Sequence, residues 1–414
     1  MGHLSGISLP LCLVFILAPL RCTQGKELRK SAPKVYIDCD MCDMDFIRTE
    51  VTFVNYVRDR KEAQVHVLVT SRRTGSGGKE YTFTFIGRKE FSGIDDTLKF
   101  VSGPTDTEDM VRRGTVRTLK MGLLRYVART PLADQISISF KGKSKQKSLE
   151  DRWKSWVFSI NFNTFLRGEK ANKTVWLNGS LSANRITPDL KIKSSAYASY
   201  NRSRFEVGDS TISSTSRNRG FWFMVVKSID DHWSAGMWGS ISSSTYENIK
   251  LALGFAPAVE YNLFPYSEST RRELRFLYRA GYRSSTYNEE TIFNKTSETL
   301  FNEALSVTFE VKQTWGSASV SLEGSHYFHD FSKNRLKLSG KLSLHLVKGL
   351  SINLSGQVSM IHDQLSLPKR GATPEEVLLR RTQLATQYRY HLWTGLGYTF
   401  GSIYENVVNP RFGD

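Results

Sequence analysis

The chain has 414 residues, of which 40% are hydrophobic, and a formal net charge of +17 at pH 7. A membrane-spanning helix needs about 20 consecutive apolar residues, and the longest uncharged apolar run, residues 4–20, is interrupted by Pro10 and Pro19. We therefore predict no spanning helix. The excess of basic over acidic residues favours anionic partners.

The amino-terminal apolar run is typical of a secretory signal peptide. Thr23 and Gly25 supply the small residues that signal peptidase favours, so residues 1–25 are predicted to be removed. Cys22 leaves a lipoprotein alternative open, although Arg21 stands where a small residue is expected. In an exported protein the anionic partners are expected to be lipopolysaccharide, polysaccharide or phospholipid headgroups, and not nucleic acid.

Residues 26–140 alternate between helical and strand patterns, which predicts a small α+β domain. Asp43 and Asp45 stand where they would cap a helix over residues 46–57. A second helix carries the apolar stripe Val116, Leu119, Leu123 and Val127 and ends before Pro131. Strands are predicted at residues 35–37, 65–70, 81–86, 97–101 and 135–140, giving the order β-α-β-β-β-α-β.

Cys39 and Cys42 are the two cysteines of the predicted mature chain. In an oxidising compartment, a structural disulfide is the expected state of such a pair. Asp38 and Asp40 disfavour a reactive thiolate, yet a redox pair or a reduced pair stays an alternative. Two thiols fall short of the four ligands of a structural zinc site, so no metal and no cofactor are predicted.

Residues 141–151 are polar and mostly basic, and they are predicted to form a linker. After them the pattern changes to strict alternation, as in residues 336–346 and 350–360, where one face is aliphatic and the other is polar. Twelve such segments begin near residues 152, 172, 189, 217, 232, 248, 271, 298, 316, 333, 349 and 384. Residues 152–402 are therefore predicted to form a transmembrane antiparallel up-and-down β-barrel of about 12 strands, with a soluble β-sandwich or solenoid as the alternative.

The connections alternate between short and long. Short turns are expected at residues 187–189, 229–232, 264–270, 314–317 and 348–349, and long loops at residues 206–218, 287–298 and 362–383. In bacterial barrels the short turns face the periplasm. The amino-terminal domain and a tail at residues 403–414 are therefore predicted to lie in the periplasm.

The polar face of the strands is predicted to be distinctly basic. Its acids are Glu260, Glu310 and Glu323, and its cations are Lys193, Arg275, Arg279, Arg283, Lys312, Arg335, Lys337, Lys341, His345, Arg389 and His391. Buried charges are paired or hydrated, so the interior is either wet, holds an anionic ligand, or is plugged by these long side chains. Basic residues inside a pore favour anions.

Gly395, Tyr398 and Phe400 lie in a stretch that resembles the carboxy-terminal β-signal of outer-membrane proteins, although residues 401–414 follow it. The resemblance implies recognition by the barrel-assembly machinery. Residues 35–60, 74–78 and 125–131 resemble uncharacterised outer-membrane proteins of the Bacteroidota and related phyla, which implies no known activity. The element order is also loosely similar to the TolB amino-terminal domain, and this similarity implies docking of a periplasmic partner.

These features predict a non-enzymatic, porin-like or solute-binding barrel in the bacterial outer membrane, acting on small anionic solutes. One alternative is a barrel that anchors the amino-terminal domain in a structural or assembly role. Another is a lipid-active enzyme that uses His345 or His391, although no Gly-x-Ser-x-Gly motif occurs.

Overall fold

The computed structural model describes residues 31–75, 77–139, 151–207, 210–347, 349–371, 383–402, 404–406, 408 and 411. The predicted signal peptide, Phe140 and most of the predicted linker lie outside these residues. The described chain forms one small mixed sheet with two helices, followed by a second, much larger sheet.

The amino-terminal domain is a five-stranded sheet in the order β2-β1-β3-β4-β5. Strand β1 runs parallel to β2 and β3, whereas β3, β4 and β5 are antiparallel. The elements are β1 (Lys34–Asp38), α1 (Met44–Glu50), β2 (Asn55–Tyr56), β3 (Val65–Arg73), β4 (Lys79–Gly87), β5 (Asp96–Ser102) and α2 (Glu108–Val127).

Helix α2 contributes five of the 19 buried residues that form the core of this domain, namely Val116, Leu119, Leu123, Tyr126 and Val127. Thr107 caps its first turn by accepting a hydrogen bond from the amide of Met110, and the predicted stripe at Leu119 and Leu123 is fully buried. A Cβ at Gly122 would lie 2.0 Å from the Phe85 ring, so glycine allows the helix to pack directly on β4. The apolar spacing of α2 thus positions it against the sheet.

Two sequence predictions for this domain are wrong. The helix predicted over residues 46–57 ends at Glu50, because the Tyr56 hydroxyl donates to the carbonyl of Val51 (2.7 Å) and the chain continues into β2. The strand predicted over residues 135–140 is absent from the described residues 136–139. Pro131 instead starts a short 3₁₀ turn, and Ile138 is left 75% exposed because no sheet edge receives it.

The second sheet contains twelve antiparallel strands in simple sequence order. The predicted up-and-down architecture is therefore confirmed. Each strand pairs with its neighbours in sequence, whereas no ladder joins the first and last strands within the described residues. The strands are β6 (Trp156–Gly168), β7 (Asn172–Ile186), β8 (Leu190–Val207), β9 (Ser210–Ser228), β10 (Trp233–Ser244), β11 (Ile249–Asn262), β12 (Arg272–Tyr287), β13 (Ser297–Gln313), β14 (Gly316–Tyr327), β15 (Asp330–Val347), β16 (Leu350–Ile361) and β17 (Tyr388–Tyr398).

The connection between β8 and β9 differs from its prediction. Residues 206–218 were expected to form a long loop, but β8 continues to Val207 and β9 begins at Ser210. This segment is rich in serine and threonine, so it lacks the aliphatic alternation of the other strands. A hairpin that projects into water needs no apolar face, because its ladder hydrogen bonds suffice to continue the strands.

The outer face of the large sheet is apolar along most of its height. Side chains such as Val320, Leu322 and Leu338 point outward and are 42–46% exposed, whereas the residues between them face the opposite side. Apolar side chains on an outward face are typical of barrels that lie in lipid. No helix in the described part of the chain is both long and apolar enough to cross a membrane.

Candidate functional site: the polar interior and its two covered ends

The strand register places all eleven predicted cations on one face of the large sheet. Lys337 pairs with Glu323 on one side and with Ser359 on the other, and Arg275 pairs with Thr308. Continuing these rows assigns the same face to Lys193, Arg275, Arg279, Arg283, Lys312, Arg335, Lys337, Lys341, His345, Arg389 and His391. Arg389 and His391 lie on β17, at the unpaired edge of the sheet.

Several of these arginines have acidic partners that sequence reasoning missed. Arg275 lies 3.3 Å from Glu273 and 3.8 Å from Glu260. Arg335 lies 2.8 Å from Asp363, a residue of the β16–β17 loop. The alternation of β12 could have revealed Glu273, whereas Asp363 lies beyond any strand pattern.

A further ion pair joins Arg279 and the predicted acid Glu323 (3.2 Å). The lysines differ from the arginines, because Lys312, Lys337 and Lys341 form no ion pair in the part of the chain that the structure describes. Arg283 and Arg389 likewise form no ion pair among the described residues, so the excess of positive charge on this face rests on the lysines together with these two arginines. Lysine is a flexible, strongly hydrated cation, which fits a wet interior.

The long-loop end of the interior is covered by residues 362–371, which follow β16. Asn248, in the β10–β11 turn, donates to the carbonyl of Ser366 (3.0 Å). The amide of Ile292 donates to the carbonyl of Leu367 (2.9 Å), and the Leu367 side chain is buried. Because β16 and β11 are five places apart in the sheet order, this segment bridges two distant walls.

A small polar chamber lies beneath this cover. Its volume is about 230 Å³, and its walls include Arg283, Tyr287, Glu298, Tyr327 and Arg335. The Arg283 side chain donates to the hydroxyl of Ser285 (3.2 Å). The chamber has room for several waters or for one small polar solute.

The short-turn end is covered by the amino-terminal domain. The Arg60 guanidinium donates to the carbonyl of Thr314 and to that of His345 (2.6 Å). On the other side, a Cβ at Gly75 would lie 2.5 Å from the Cβ of Ile186 on β7. The domain therefore extends from β15 to β7 across this end of the sheet.

The loop that carries Arg60 is stabilised by Arg88, whose guanidinium donates to the carbonyl of Arg60 (3.0 Å). Burial, together with the neighbouring charge of Arg60, lowers the pKa of Arg88. Burial also raises the pKa of Tyr36, which lines the same junction, to about 12. The junction is therefore partly dehydrated, which strengthens its hydrogen bonds.

The carboxy-terminal tail completes the amino-terminal domain. The amide of Glu405 donates to the carbonyl of Tyr56 (3.1 Å), and the amide of Tyr56 donates to the side chain of Asn406 (2.7 Å). Glu405 also forms an ion pair with Arg48 (2.5 Å). The residues that follow the β-signal-like stretch thus extend the small sheet beyond β2.

The β-signal-like residues lie at the end of β17. Gly395 faces the polar side of the sheet, as its pairing with Asn353 indicates. The rings of Tyr398 and Phe400 stack 5.6 Å apart, and they are 63% and 78% exposed. Exposed aromatic residues at strand ends are typical of the interfacial girdles of barrels.

Cys39 and Cys42 form a disulfide between β1 and α1. Beside it, a cleft of about 710 Å³ lies between the first turn of α2 and the β3–β4 hairpin, with Cys42, Lys79 and Arg112 in its walls. Among the described residues, no group of three or more His, Cys, Asp or Glu side chains is placed to hold a metal ion.

His345 and His391 lie on β15 and β17. Within the described ranges, neither imidazole has a carboxylate partner. A hydrolytic histidine needs a nucleophile within hydrogen-bond reach and a group that orients the ring. Among the residues that the structure describes, neither imidazole forms a hydrogen bond with a serine, threonine or cysteine side chain.

The twelve-strand meander with its apolar outer face defines an outer-membrane β-barrel type of fold. No protein family and no curated protein matches the sequence. Among solved structures, the chain is similar to the β domain of the Bordetella autotransporter BrkA, at 12% identity and a TM-score of 0.24, over 59% of this chain and 98% of that chain. This likeness is too low to inform function. The resemblances to Bacteroidota proteins and to the TolB domain stay predictions.

Proposed function

We propose that the protein is a non-enzymatic outer-membrane barrel that passes or binds small anionic solutes and is closed at both ends by its own segments. One observation carries the proposal: each end of the polar interior is bridged from wall to wall. Residues 362–371 bridge one end, and the amino-terminal domain bridges the other.

The orientation follows from the connections. The amino-terminal domain contacts the end of the sheet with the short turns, such as residues 187–189 and 314–315. Because short turns face the periplasm in bacterial barrels, we place the domain there and the 362–371 cover at the cell surface. The cleft beside Cys42 is then the surface offered to a periplasmic partner. Phe400 and its neighbours serve the barrel-assembly machinery.

Closure of the sheet is part of the proposal. The outer edges of β6 and β17 carry backbone groups without ladder partners in the described residues. Lipid cannot hydrogen-bond such groups, so open sheet edges do not persist in a bilayer. We therefore propose that β6 and β17 pair in the membrane and complete an even-numbered barrel.

The lysines define the solute class. Lys312, Lys337 and Lys341 face the interior from β13 and β15, and a lining with unpaired cations attracts anions. Three of the five arginines on the same face, Arg275, Arg279 and Arg335, are engaged by carboxylates. Selectivity should therefore depend on the lysines more than on the arginines.

Planar-bilayer conductance of the full chain tests this function. We expect low conductance with anion preference, and higher conductance once Arg60→Ala weakens the periplasmic cover. The double variant Lys337→Gln/Lys341→Gln should lose anion preference, whereas the surface variant Lys120→Gln should retain it. Cation preference, or no conductance in any variant, would refute passage of anions through the barrel.

The hydrogen bonds of Arg60 and the tail contacts at Tyr56 favour a second candidate, a barrel that anchors the amino-terminal domain. Deletion of residues 26–140 separates the two candidates. A phenotype that disappears while the barrel still assembles supports the anchor. Retained solute uptake by the shortened barrel supports the pore.

A further inference from the structure

Five basic side chains lie on the outward face of the large sheet, at the long-loop end of three neighbouring strands. Leu181, Ala196 and Phe221 form one outward row across β7, β8 and β9, and the first and last of them are 55% and 42% exposed. Counting by twos along each strand from this row assigns the same face to a basic patch of Lys173, Arg202, Arg204, Arg217 and Arg219. All five side chains are exposed.

The basic patch lies at the upper boundary of the apolar band. Arg185 and Lys227 lie on the same face, each one residue from the short-turn end of its strand. At about 3.3 Å per residue and a tilt of about 40°, the eight residues from Lys227 to Arg219 rise by about 20 Å, and the twelve from Arg185 to Lys173 by about 30 Å. The apolar band of an outer-membrane barrel is about 25 Å tall. The patch therefore lies where the apolar surface gives way to lipid headgroups.

Most of these cations lack a counter-charge within the protein. Arg204 lies 3.7 Å from Glu206, whereas the other four form no ion pair in the part of the chain that the structure describes. Lys173 and Arg204 lie directly opposite each other in the β7–β8 ladder, and like charges in that position destabilise a sheet. An external anion at this place would remove that repulsion.

The positive charge is concentrated on one side of the sheet. The corresponding outward positions of β12–β16 are uncharged, acidic or histidine, namely Ser284, Thr299, Glu303, His326, Asn334 and Met360. A general attraction to an anionic membrane surface needs no such concentration. Cations on three adjacent strands instead indicate a site for one bound molecule.

We propose that the basic patch binds the phosphate groups of one lipopolysaccharide molecule in the outer leaflet. Its acyl chains lie against the outward row at Leu181 and Phe221, and its phosphates accept hydrogen bonds from Arg202 and Arg217. The inference rests on the proposed function, which places the barrel in the outer membrane with its long loops at the cell surface.

The glycolipid is favoured by charge and by hydrogen bonding. Two strand spacings make the patch about 10 Å wide, so a sugar unit with a phosphate at each end can contact several cations at once, whereas phosphatidylglycerol has a single phosphate. Arginine binds phosphate through two parallel hydrogen bonds. Thr215, which is exposed and pairs with Arg202, offers a hydroxyl to the sugar. The Tyr200 ring lies 5.9 Å from the Arg217 guanidinium and extends this polar surface.

Native mass spectrometry of the full detergent-solubilised chain tests the site. Diphosphoryl lipid A, its dephosphorylated form and phosphatidylglycerol are titrated separately, and diphosphoryl lipid A should bind the most tightly. The double variant Arg202→Gln/Arg217→Gln should weaken its binding about tenfold, because two exposed ion pairs contribute a few-fold each. Raising the salt concentration should reduce this difference, since salt screens exposed charges.

The matched control is Arg185→Gln/Lys227→Gln. This variant removes the same charge from the same face of β7 and β9, but at the opposite boundary of the apolar band. It should therefore bind diphosphoryl lipid A as the wild type does. Arg202 and Arg217 are exposed, so their replacement should leave the barrel folded, and circular dichroism checks this.

Three results would overturn the inference alone, in a chain that incorporates into liposomes. The first is equal binding of lipid A with and without its phosphates. The second is an equal loss of binding in the two double variants. The third is phosphatidylglycerol that binds as tightly as diphosphoryl lipid A, which would make the patch a general surface for anionic lipids. Failure of the chain to incorporate into liposomes would refute the proposed function and this inference together.

Discussion

Replacing Arg60 by alanine should release the amino-terminal domain from the barrel. Its guanidinium donates to the carbonyl of Thr314, in the β13–β14 turn, and to that of His345, near the end of β15. Lys61 is the matched control, because it carries the same charge on the same loop, is exposed, and forms no side-chain hydrogen bond among the described residues.

The magnitude follows from the two hydrogen bonds. A hydrogen bond to a charged group contributes about 1.5–3 kcal/mol. Because Arg60 is half-buried and water can replace part of each bond, we expect a total loss of about 2–3 kcal/mol. That loss corresponds to a rise of about 30- to 150-fold in the ratio of undocked to docked molecules.

Pulsed electron resonance between two nitroxide labels measures this ratio. One label replaces Met121, which is 53% exposed on α2, and the other replaces Asp230 in the β9–β10 turn. Wild type and Lys61→Ala should give one narrow distance distribution, and Arg60→Ala should add a broad, longer component. A narrow distribution in all three proteins would refute the view that Arg60 holds the domain in place.

Three further predictions concern the pairing of β6 with β17, the contact of the carboxy-terminal tail with Tyr56, and the buried His66 of the small domain. If the barrel closes, a cysteine that replaces Ser159 on β6 should cross-link to a cysteine on the polar face of β17, at Arg389, His391 or Trp393. Cysteines at Tyr390 and Leu392, on the opposite face of β17, should not cross-link to it. Absence of cross-linking at all five positions would contradict closure of the barrel. Asn406→Ala should leave the buried Tyr56 amide without its hydrogen-bond acceptor, at a cost of about 1–3 kcal/mol in stability, and the exchange of that amide hydrogen should become faster. Glu405→Ala keeps this hydrogen bond and should change the exchange rate of the Tyr56 amide less. Burial lowers the pKa of His66, so the folded domain binds fewer protons than the unfolded chain below about pH 6.5. The stability of the domain should therefore fall as the pH drops below that value, by at most about 1.4 kcal/mol per pH unit. Hydrogen exchange of the β3 amides, measured between pH 7.5 and 5, should report this loss of stability. His66→Phe should remove this dependence of stability on pH.

The strands of the large sheet could be predicted because each residue there has only two environments. Lipid on one side and a polar interior on the other impose a period of two, and the predicted starts near residues 172 and 316 match β7 and β14. The β8–β9 hairpin escaped prediction because both of its faces are polar. The prediction for helix α1 was too long, because the apolar spacing at Ile47, Val51 and Val54 continues after the helix has ended at Glu50.

The covers of the interior could not be predicted from residue patterns. Arg60 donates to backbone carbonyls, and because every residue type carries a carbonyl, the sequence around His345 does not indicate the contact. Asp363 lies in a loop, where periodicity carries no information. Glu303 is different, since a carboxylate between Phe301 and Leu305 interrupts the apolar face of β13, and that interruption could have indicated a polar partner such as His326 on the neighbouring strand.

The pairing of the tail with β2 ties the order of folding to the order of export. If the chain is exported as proposed, the small domain leaves the cell interior before the barrel strands, yet the edge of its sheet is completed by residues 404–406, which follow the last strand. Until then the edge at Tyr56 stays open, and an open edge is a template for foreign strands. An exported chain that still lacked its tail contacts would therefore display a free strand edge at Tyr56 that the finished molecule covers.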